Sequence, residues 1–420
     1  MDAHDGSFGP GLLPSRMRGG ARSRVAVLFE RFGPYHLVRL NCAAKRLSVV
    51  GVEFSEMDRI YGWGPTKGRE SFPRHVISAD IHAEPTRQLI RRMDAVLSSL
   101  RPEAVAIPGW SHRGALAALL WCQRSGVPAV LMSDSTAIDD VRRPWKEAVK
   151  RRVVSLFSAA LAGGQPHRAY LLQLGMQPRR ILDGYDVVDN DHFARLADAT
   201  RERAAGARRR LGVPKRYFLS SCRFVEKKNL FRLMEAFARY RGEAGSEAWD
   251  LVLLGDGHLR PKLLQWVAQH DLQEVVHMPG FKQYEQLPAY YGLAEALVHA
   301  STTEQWGLVV NEAMAARLPV LVSNRCGCAA DLVVPGVNGY IFDPMDPNAL
   351  ADLMLYVASN SCNRTRLGQA GRVLIANWTP QRFADNLCKA AQVALSEPRR
   401  GGSVDLLLVR ALIARQPKAE

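Results

Sequence analysis

The strongest constraint on the fold is an alternation of short apolar runs with amphipathic runs of helix length, from residue 24 onward. In the first half of the chain the apolar runs are VAVLF (25–29), LSVVGV (47–52), AVAIP (104–108), PAVLM (128–132) and AALAGG (159–164). Runs in the order strand, helix, strand predict a parallel sheet flanked by helices. The sequence therefore predicts an α/β protein.

The same pattern restarts after the charged stretch RERAAGARRRLG (201–212). Its apolar runs are YFLSS (217–221), LVLLG (251–255), VVHMPG (275–280), ALVHA (296–300), PVLVS (319–323) and YIF (340–342). Two series of similar length predict two Rossmann-like domains that face each other across a cleft, with ligands at the carboxyl ends of the strands. The predicted division is a flexible N-terminal tail (1–23), a first Rossmann-like domain (24–200), a second Rossmann-like domain (201–397), and a C-terminal tail or short docking helix (398–420).

The composition excludes several classes of protein. At 420 residues the chain is long enough for two cores, and its seven cysteines include no CxxC pair. Neither a disulfide framework nor a zinc module is therefore expected. No apolar run reaches the roughly 18 residues that cross a bilayer, and the first residues contain no apolar signal region. We expect a cytoplasmic protein that is neither secreted nor integral to a membrane.

The chain is basic, with 56 Lys+Arg against 41 Asp+Glu and a formal net charge of +15. The excess is spread evenly over the two halves, so a separate nucleic-acid-binding domain is not expected. Phosphates, acidic glycans or an acidic membrane surface suit such a charge as partners. An equally good interpretation is surface charge without a functional meaning.

The densest group of chemically active residues is STTEQWGLVVNEAMAARLPVLVS (301–323). Gly307 opens a predicted helix whose first amides, those of Leu308 and Val309, suit a phosphate. Glu312 lies one turn further, where a carboxylate can accept hydrogen bonds from two vicinal hydroxyls, as a ribose offers. Glu304 precedes the helix and faces whatever is attached beyond the phosphate. Taken alone, both glutamates are equally consistent with ordinary helix-dipole and surface positions.

A second group lies at the start of the second domain. Arg223 follows a predicted strand and Lys228 comes five residues later, so two cations can converge on a diphosphate at the same cleft edge. Solvated surface charge is the alternative. Gly255, Gly257 and Gly280 follow successive strands and mark backbone turns, which tight-turn chemistry alone also explains.

Taken in order, these motifs resemble the nucleotide-sugar-binding half of the retaining glycosyltransferases of the GT-B fold, the group-1 or family-4 type. That family has an Arg with a Lys five residues on, a GDG turn, a PGF-like turn and two glutamates separated by seven residues. The resemblance is strong over 215–395. It is weaker in the first domain, where 25–40 and 163–175 look like members that make cell-surface polysaccharides.

The resemblance implies a role for each matched residue. Glu304 contacts the donor sugar, and Arg223 and Lys228 neutralise the diphosphate leaving group in place of a metal ion, so neither metal nor cofactor is expected. The implied donor-binding residues are Glu312, Gly307, Leu308, Val309, Gly255, Gly280 and Gly33. Gly33 is implied to let first-domain backbone close on the phosphate, although it is also a simple strand cap.

The resemblance also implies that 24–200 is the acceptor-side domain and that 201–397 is the nucleotide-sugar-binding domain. It further implies the activity of the whole chain. It is that of a metal-independent, retaining, hexosyl-type glycosyltransferase that moves a sugar from a nucleotide-diphosphate donor to a hydroxyl of a glycan or lipid-linked acceptor, in surface polysaccharide or glycolipid biosynthesis. A nucleotide-sugar epimerase of the same fold, or a non-catalytic nucleotide-sugar-binding scaffold subunit, remains an alternative.

A basic stretch in the first domain surrounds Trp145. Its cations are Arg142, Arg143, Lys146, Lys150 and Arg151. A basic helix face with an aromatic anchor is typical of a peripheral contact with an anionic membrane, here the inner face of the plasma membrane. A solvated helix fits the same residues equally well.

The chain departs from the family pattern in three places. Arg317 and Cys222 stand where members usually have glycine, and Arg317 in a left-handed helix cap would cost roughly 1 kcal/mol. The first-domain histidine that many members use beside the donor sugar has no evident counterpart, and Asp134 or His112 is a candidate substitute, each equally a turn residue. The string Asp189-Asn190-Asp191 matches a metal-binding motif, but we predict a turn and helix cap there.

Overall fold

The computed structural model describes residues 22–56, 62–64, 66 and 68–415, so the predicted tail over 1–23 lies almost wholly outside the described residues. Within them the strands are β1 (Arg24–Phe29), β2 (Ser48–Ser55), β3 (Arg74–Ser78), β4 (Ala104–Pro108), β5 (Ala129–Ser133), β6 (Ala159–Ala162), β7 (Ile181–Asp183), β8 (Tyr217–Ser221), β9 (Asp250–Leu254), β10 (Val276–Gly280), β11 (Ala296–His299), β12 (Val320–Ser323) and β13 (Gly339–Phe342).

The α-helices alternate with these strands. They are α1 (Pro34–Ala43), α2 (Thr86–Leu100), α3 (Arg113–Ser125), α4 (Pro144–Val154), α5 (Gln165–Gln173), α6 (Asn190–Glu202), α7 (Ala204–Leu211), α8 (Leu230–Ala244), α9 (Arg260–Gln269), α10 (Leu287–Leu293), α11 (Leu308–Ala315), α12 (Ala329–Leu332), α13 (Pro347–Ala358), α14 (Arg364–Ile375), α15 (Pro380–Ser396) and α16 (Ser403–Arg415). Of the described helices, none is long and apolar enough to cross a bilayer.

The strands form two sheets. The first has the order β3-β2-β1-β4-β5-β6-β7 and the second has the order β10-β9-β8-β11-β12-β13. The strand pairs in both sheets run parallel. The strand order reverses beside β1 and beside β8, which makes these the switch points where such sheets bind ligands. The predicted α/β class and the two Rossmann-like domains are confirmed.

The strands are apolar on both faces because helices cover both sides of each sheet. In β1 every residue after Arg24 is buried, and β5 and β12 are buried throughout. This is why the sequence shows continuous apolar runs there and no alternation of apolar with polar residues.

Two helices cross between the domains. Helix α6, which the sequence division assigns to the first domain, packs against α10 and α11 of the second. Helix α15, assigned to the second domain, packs against α1 and the strands of the first sheet, and α16 follows it onto α3. The amphipathic pattern of a helix shows that one face is buried, but it carries no information about which sheet buries it.

Candidate active site

A cleft of about 1030 Å³ lies between the carboxyl ends of the two sheets and is lined by both domains. The predicted site residues that line it are Arg223, Lys228, Gly255, Glu304, Gly307, Leu308, Val309, Glu312 and Gly33. Gly280 is a turn residue with φ of 84°, and its neighbour Phe281 lines the cleft in its place. The structure thus brings residues from distant parts of the sequence to one cleft.

Glu304 is held by three donors on the second-domain wall. Its Oε2 accepts hydrogen bonds from Lys228 Nζ and from Ser301 Oγ (3.1 Å), and His299 Nε2 lies 3.2 Å away. Burial by itself raises the pKa of Glu304, but the His299 contact and the positive charge of Lys228 outweigh burial and hold this pKa well below its usual range. Glu304 is therefore ionised at neutral pH.

His299 is a functional residue that the sequence reasoning missed. It ends β11, is 2% exposed, and burial lowers its pKa. The imidazole is therefore neutral, and its Nε2 proton is directed to Glu304. The available signal was a histidine at the end of a buried strand, five residues before the predicted catalytic glutamate.

The turn that carries Arg223 and Lys228 is shaped by close backbone contacts. A Cβ atom on Gly255 would lie 1.8 Å from the carbonyl oxygen of Cys222, so only glycine fits beside this turn. The turn ends at Asn229, which has φ of 57° and whose side-chain amide donates to the carbonyls of Ala300 (3.2 Å) and Pro344 (2.7 Å). Asn229 was not singled out in the sequence, although it follows Lys228 directly.

The opening of α11 completes an anion-binding surface. Gly307 caps the helix with φ of 101°, which favours glycine. The first amides of a helix have no partner within the helix and carry its positive dipole end, so those of Leu308 and Val309 attract an anion. Lys227, which the sequence reasoning missed, also lines the cleft, and burial lowers its pKa. With Arg223 and Lys228 it makes three cations beside one helix N-terminus.

Glu312 is 1% exposed and lies against two tyrosines from different domains. Tyr35 Oη donates to Oε1 at 2.6 Å and Tyr291 Oη donates to Oε2 at 2.6 Å. Burial raises the pKa of Glu312 to about 7, although the two tyrosine hydroxyls oppose this rise. Tyr35 lies in the first domain, and nothing in the local sequence predicted this contact.

On the first-domain wall, Gly33 has its amide already engaged. Gly33 N donates to His36 Nδ1 at 3.0 Å at the start of α1, and φ of Gly33 is −96°, which any residue can adopt. The expected closure of this backbone on a phosphate would therefore first have to break a hydrogen bond. Asp134 lines the cleft, whereas His112 does not and instead lies 3.0 Å from Glu30.

His167 joins the two domains beside the loop that carries Glu304. It is fully buried, its Nδ1 accepts from Gly164 N at 3.0 Å, and its Nε2 therefore donates to the carbonyl of Gln305 at 2.8 Å. Gln305 follows Glu304 in sequence, so a first-domain helix fixes the loop that carries this glutamate. Elsewhere, Asp189 Oδ1 accepts from His192 N at 3.0 Å, which confirms the predicted helix cap.

Comparison with known sequences agrees with this arrangement. A family described as "Glycosyl transferases group 1" matches residues 207–374. The chain is 28% identical over 172 residues to amylovoran biosynthesis glycosyltransferase AmsK of Erwinia amylovora, covering 40% of this chain and 42% of AmsK. It is 30% identical over 148 residues to alpha-monoglucosyldiacylglycerol synthase of Acholeplasma laidlawii, covering 34% and 36%. The aligned region thus spans less than half of each relative.

Solved structures extend the likeness over both domains. Anabaena Alr3699/HepE, solved in complex with UDP and glucose, superposes with a TM-score of 0.69 at 17% identity and covers 87% of this chain and 98% of its own. Sucrose-phosphate synthase from Thermosynechococcus elongatus superposes with a TM-score of 0.70 at 18% identity, covering 87% and 97%. At this level of identity the likeness concerns the fold. The chain has the GT-B fold, and its second domain belongs to the group-1 glycosyltransferases.

Proposed function

We propose that this protein is a retaining glycosyltransferase that moves a sugar from a nucleotide-diphosphate donor to a hydroxyl of a glycan or lipid-linked acceptor. The observation that carries the proposal is the pairing of an ionised Glu304 with Lys228 beside the N-terminus of α11, inside the cleft between the domains. An anionic side chain and an anion-binding helix end lie side by side there. A glycosyl diphosphate presents a matching pair, a sugar that becomes cationic and a leaving group that becomes anionic.

The diphosphate would lie against the amides of Leu308 and Val309 and the three cations of the second-domain wall. Negative charge grows on the leaving phosphate as the glycosidic bond breaks, and fixed donors stabilise that charge without reorganising. These residues supply the charge that a metal ion would otherwise provide. The proposed mechanism therefore uses neither metal nor cofactor.

Glu304 would face the sugar carbon at which the bond breaks. Its low pKa keeps it anionic, so it stabilises an oxocarbenium-like centre, and its three donors hold it in place. The departing phosphate can accept the proton of the acceptor hydroxyl on the same face, which gives retention of configuration. Glu312 would accept hydrogen bonds from the two vicinal hydroxyls of the donor ribose.

The names of relatives support the acceptor class. One is an amylovoran biosynthesis glycosyltransferase and another is an alpha-monoglucosyldiacylglycerol synthase. We therefore place the protein in surface polysaccharide or glycolipid biosynthesis, with a glycan or lipid-linked acceptor reaching the cleft from the first domain.

The surface before and at the start of α4 supports work at the inner face of the plasma membrane. Three apolar side chains there are exposed: Ile138 (46%), Val141 (75%) and Trp145 (60%). Exposed Arg143 and half-buried Lys146 flank them, and Lys146 pairs with Asp140 at 3.6 Å. Such an apolar group beside basic residues suits an anionic bilayer. The same chain segment begins at Ser135, which lines the cleft.

Two of the five cations predicted for this basic face are turned inward. Arg142 and Lys150 both pair with Glu147, at 3.3 Å and 2.9 Å, and both contact the hydroxyl of Tyr170. They hold α4 on the first domain. The remaining cations are the ones available to a membrane surface.

The activity is tested by adding UDP, GDP and ADP sugars to the purified protein with a membrane lipid extract, and measuring nucleoside diphosphate release and glycosylated product. Wild-type protein should form product in EDTA, with the anomeric configuration of the donor. Release of nucleotide without any acceptor would favour the epimerase, and an inverted product or a metal requirement would contradict the mechanism.

The role of Glu304 is tested with Glu304→Gln. The neutral amide keeps the shape but loses the charge facing the sugar, so transfer should fall by about 100-fold or more while nucleoside diphosphate binding changes little. Glu226→Gln is the matched control, because Glu226 is exposed and contacts His258 outside the cleft. Transfer at the wild-type rate in Glu304→Gln would remove the assigned role.

A further inference from the structure

The contact between Tyr35 and Glu312 crosses the cleft and resembles the way in which a carboxylate binds a diol. Each carboxylate oxygen of Glu312 accepts one tyrosine hydroxyl at 2.6 Å, Tyr35 from α1 and Tyr291 from α10. Glu312 therefore already holds two hydroxyl groups, one on each oxygen. A vicinal diol would bind a carboxylate in the same pattern.

A diol cannot reach Glu312 in this arrangement. The residue is only 1% exposed, and both of its oxygens are engaged. Each carboxylate oxygen can accept a second hydrogen bond, but Glu312 is almost fully enclosed, so one tyrosine must move away before a diol can reach both oxygens. Tyr291 is 0% exposed and packs in the core of the same domain as Glu312, edge-on to Phe193 at 5.8 Å. Tyr35 is half-buried and belongs to the opposite domain, so it is the partner that can withdraw.

We propose that Tyr35 occupies, in the ligand-free protein, the position at Glu312 that the ribose diol of the donor takes, so that the donor binds by displacing the Tyr35 hydroxyl. This inference rests on the proposed function, because it requires a donor with a ribose. Tyr35 is then a donor-site residue contributed by the acceptor-side domain. Its hydroxyl competes with the donor and lowers the affinity of the protein for nucleotide.

The aromatic neighbours of Tyr35 connect this exchange to the two domains. Its ring meets Tyr284 of the second domain edge-on at 5.2 Å and Trp63 of the first domain at 5.9 Å, and Trp63 meets Phe281 at 5.1 Å. These rings join the domains over the same end of the cleft. Withdrawal of Tyr35 therefore loosens a contact between domains, so donor entry and cleft opening occur together.

The test uses Tyr35→Phe, which keeps the ring and removes only the hydroxyl. Calorimetry with UDP, GDP and ADP first identifies the nucleoside diphosphate that the wild-type protein binds. Tyr35→Phe should bind that nucleotide about three- to tenfold tighter, the range expected when one competing hydrogen bond is removed. Unchanged or weaker binding would overturn the inference, because Tyr35 would then be neutral or part of the binding site.

Tyr284→Phe is the matched control. Within the described residues the Tyr284 hydroxyl is buried and has no hydrogen-bond partner, and its ring contacts Tyr35. Its removal should leave the dissociation constant unchanged. An equal gain in Tyr284→Phe would mean that loosened ring packing, and not the hydroxyl at Glu312, controls affinity, which would also overturn the inference.

A double-variant cycle separates this inference from the proposed function. In Glu312→Ala there is no carboxylate to compete for, so adding Tyr35→Phe should change affinity no further. A persistent gain would overturn the competition. Wild-type protein should bind the 2′,3′-dideoxy nucleotide more weakly than the ribonucleotide, and Glu312→Ala should bind both alike. Failure of this second comparison, or of all nucleotide binding, would instead remove the ribose assignment and the proposed function with it.

Discussion

At the scale of single residues, Arg317 shows how a local conflict is offset. It stands where the family resemblance implies glycine, and its φ of 60° confirms that the position is left-handed. A Cβ atom on Gly368 would lie 2.1 Å from the Arg317 carbonyl oxygen, so this backbone is tightly packed. The guanidinium of Arg317 donates to Asp198 at 2.6 Å, and Arg372 donates to the same carboxylate at 2.7 Å. The ion pair offsets the backbone strain.

Two substitutions separate these effects. Arg317→Gly relieves about 1 kcal/mol of backbone strain and loses a half-exposed ion pair worth up to about 1 kcal/mol, so its stability should be near that of the wild type. Arg317→Ala loses the pair and keeps the strain, so it should be about 1 kcal/mol less stable than the glycine variant. Urea unfolding followed by circular dichroism measures both, and equal stabilities would show that the left-handed backbone is not strained.

The raised pKa of Glu312 predicts a pH dependence of stability. Because burial raises this pKa from 4.5 to about 7, the folded state holds a proton there that the unfolded chain releases. The stabilisation is complete below about pH 4.5 and is lost as the pH rises to about 7. Glu312→Gln does not titrate, so its melting temperature relative to the wild type should rise from pH 5 to pH 8. The same difference at both pH values would contradict the assignment.

At the scale of elements, the turn between β8 and α8 positions the cations of the proposed phosphate site. Gly255 lets the backbone of β9 approach Cys222, and Asn229 fastens the other end of the turn to two carbonyls of neighbouring loops. Arg223 and Lys228 lie between these two anchors. In a flexible turn the two cations would sample many positions, and their binding to a diphosphate would be weaker.

Asn229→Gly tests this anchoring. Glycine adopts the left-handed backbone of position 229 without cost, but it removes the amide that donates to Ala300 and Pro344. Binding of a nucleoside diphosphate should weaken by about tenfold, because the turn that carries the cations is no longer fixed in place, while binding of the corresponding nucleoside should not change. Calorimetry with both ligands gives the comparison, and an equal loss for the nucleoside would indicate a general loosening of the domain.

At the scale of the whole molecule, the two domains meet through contacts that surround the candidate site. His167 fixes the Gln305 carbonyl, Tyr35 reaches Glu312, and the backbone of Gln165 donates to Asp331 at 3.0 Å. Contact between the domains therefore brings the residues of the candidate site together, although the proposed binding of a donor requires the Tyr35 contact to break. In the proposed mechanism, closure around the bound donor would then exclude water, which would otherwise hydrolyse the donor.

The exposed apolar group of Ile138, Val141 and Trp145 makes a prediction for the protein as a whole. Wild-type protein should co-sediment with vesicles that contain phosphatidylglycerol and not with phosphatidylcholine vesicles, and high salt should weaken the binding. Trp145→Glu should reduce binding at least tenfold. Val373→Glu is the matched control, since Val373 is 73% exposed on α14 of the second domain. Equal losses in both variants would contradict a local docking surface.

Much of the fold and the second-domain site was predictable because the relevant signals are local. Apolar runs of strand length, the glycines after β9 and the motif around Glu304 are contiguous in sequence, and each reflects a backbone or burial requirement at its own position. His299 was also within reach, since it ends a predicted strand beside Glu304. The roles of Tyr35 and His167 in the first domain could not be predicted, because their hydrogen-bond partners lie 277 and 138 residues away in the sequence.

The sequence by itself determined the α/β class, the two parallel sheets and the cluster of charged residues around α11, because periodicity and turn chemistry are properties of neighbouring residues. Only the tertiary structure decided that α6 and α15 pack against the opposite domain, and that Tyr35 closes on Glu312. The physical reason is that a helix pattern requires a buried face, but its partner is chosen by the packing of the whole chain. Contacts across the cleft follow from that packing.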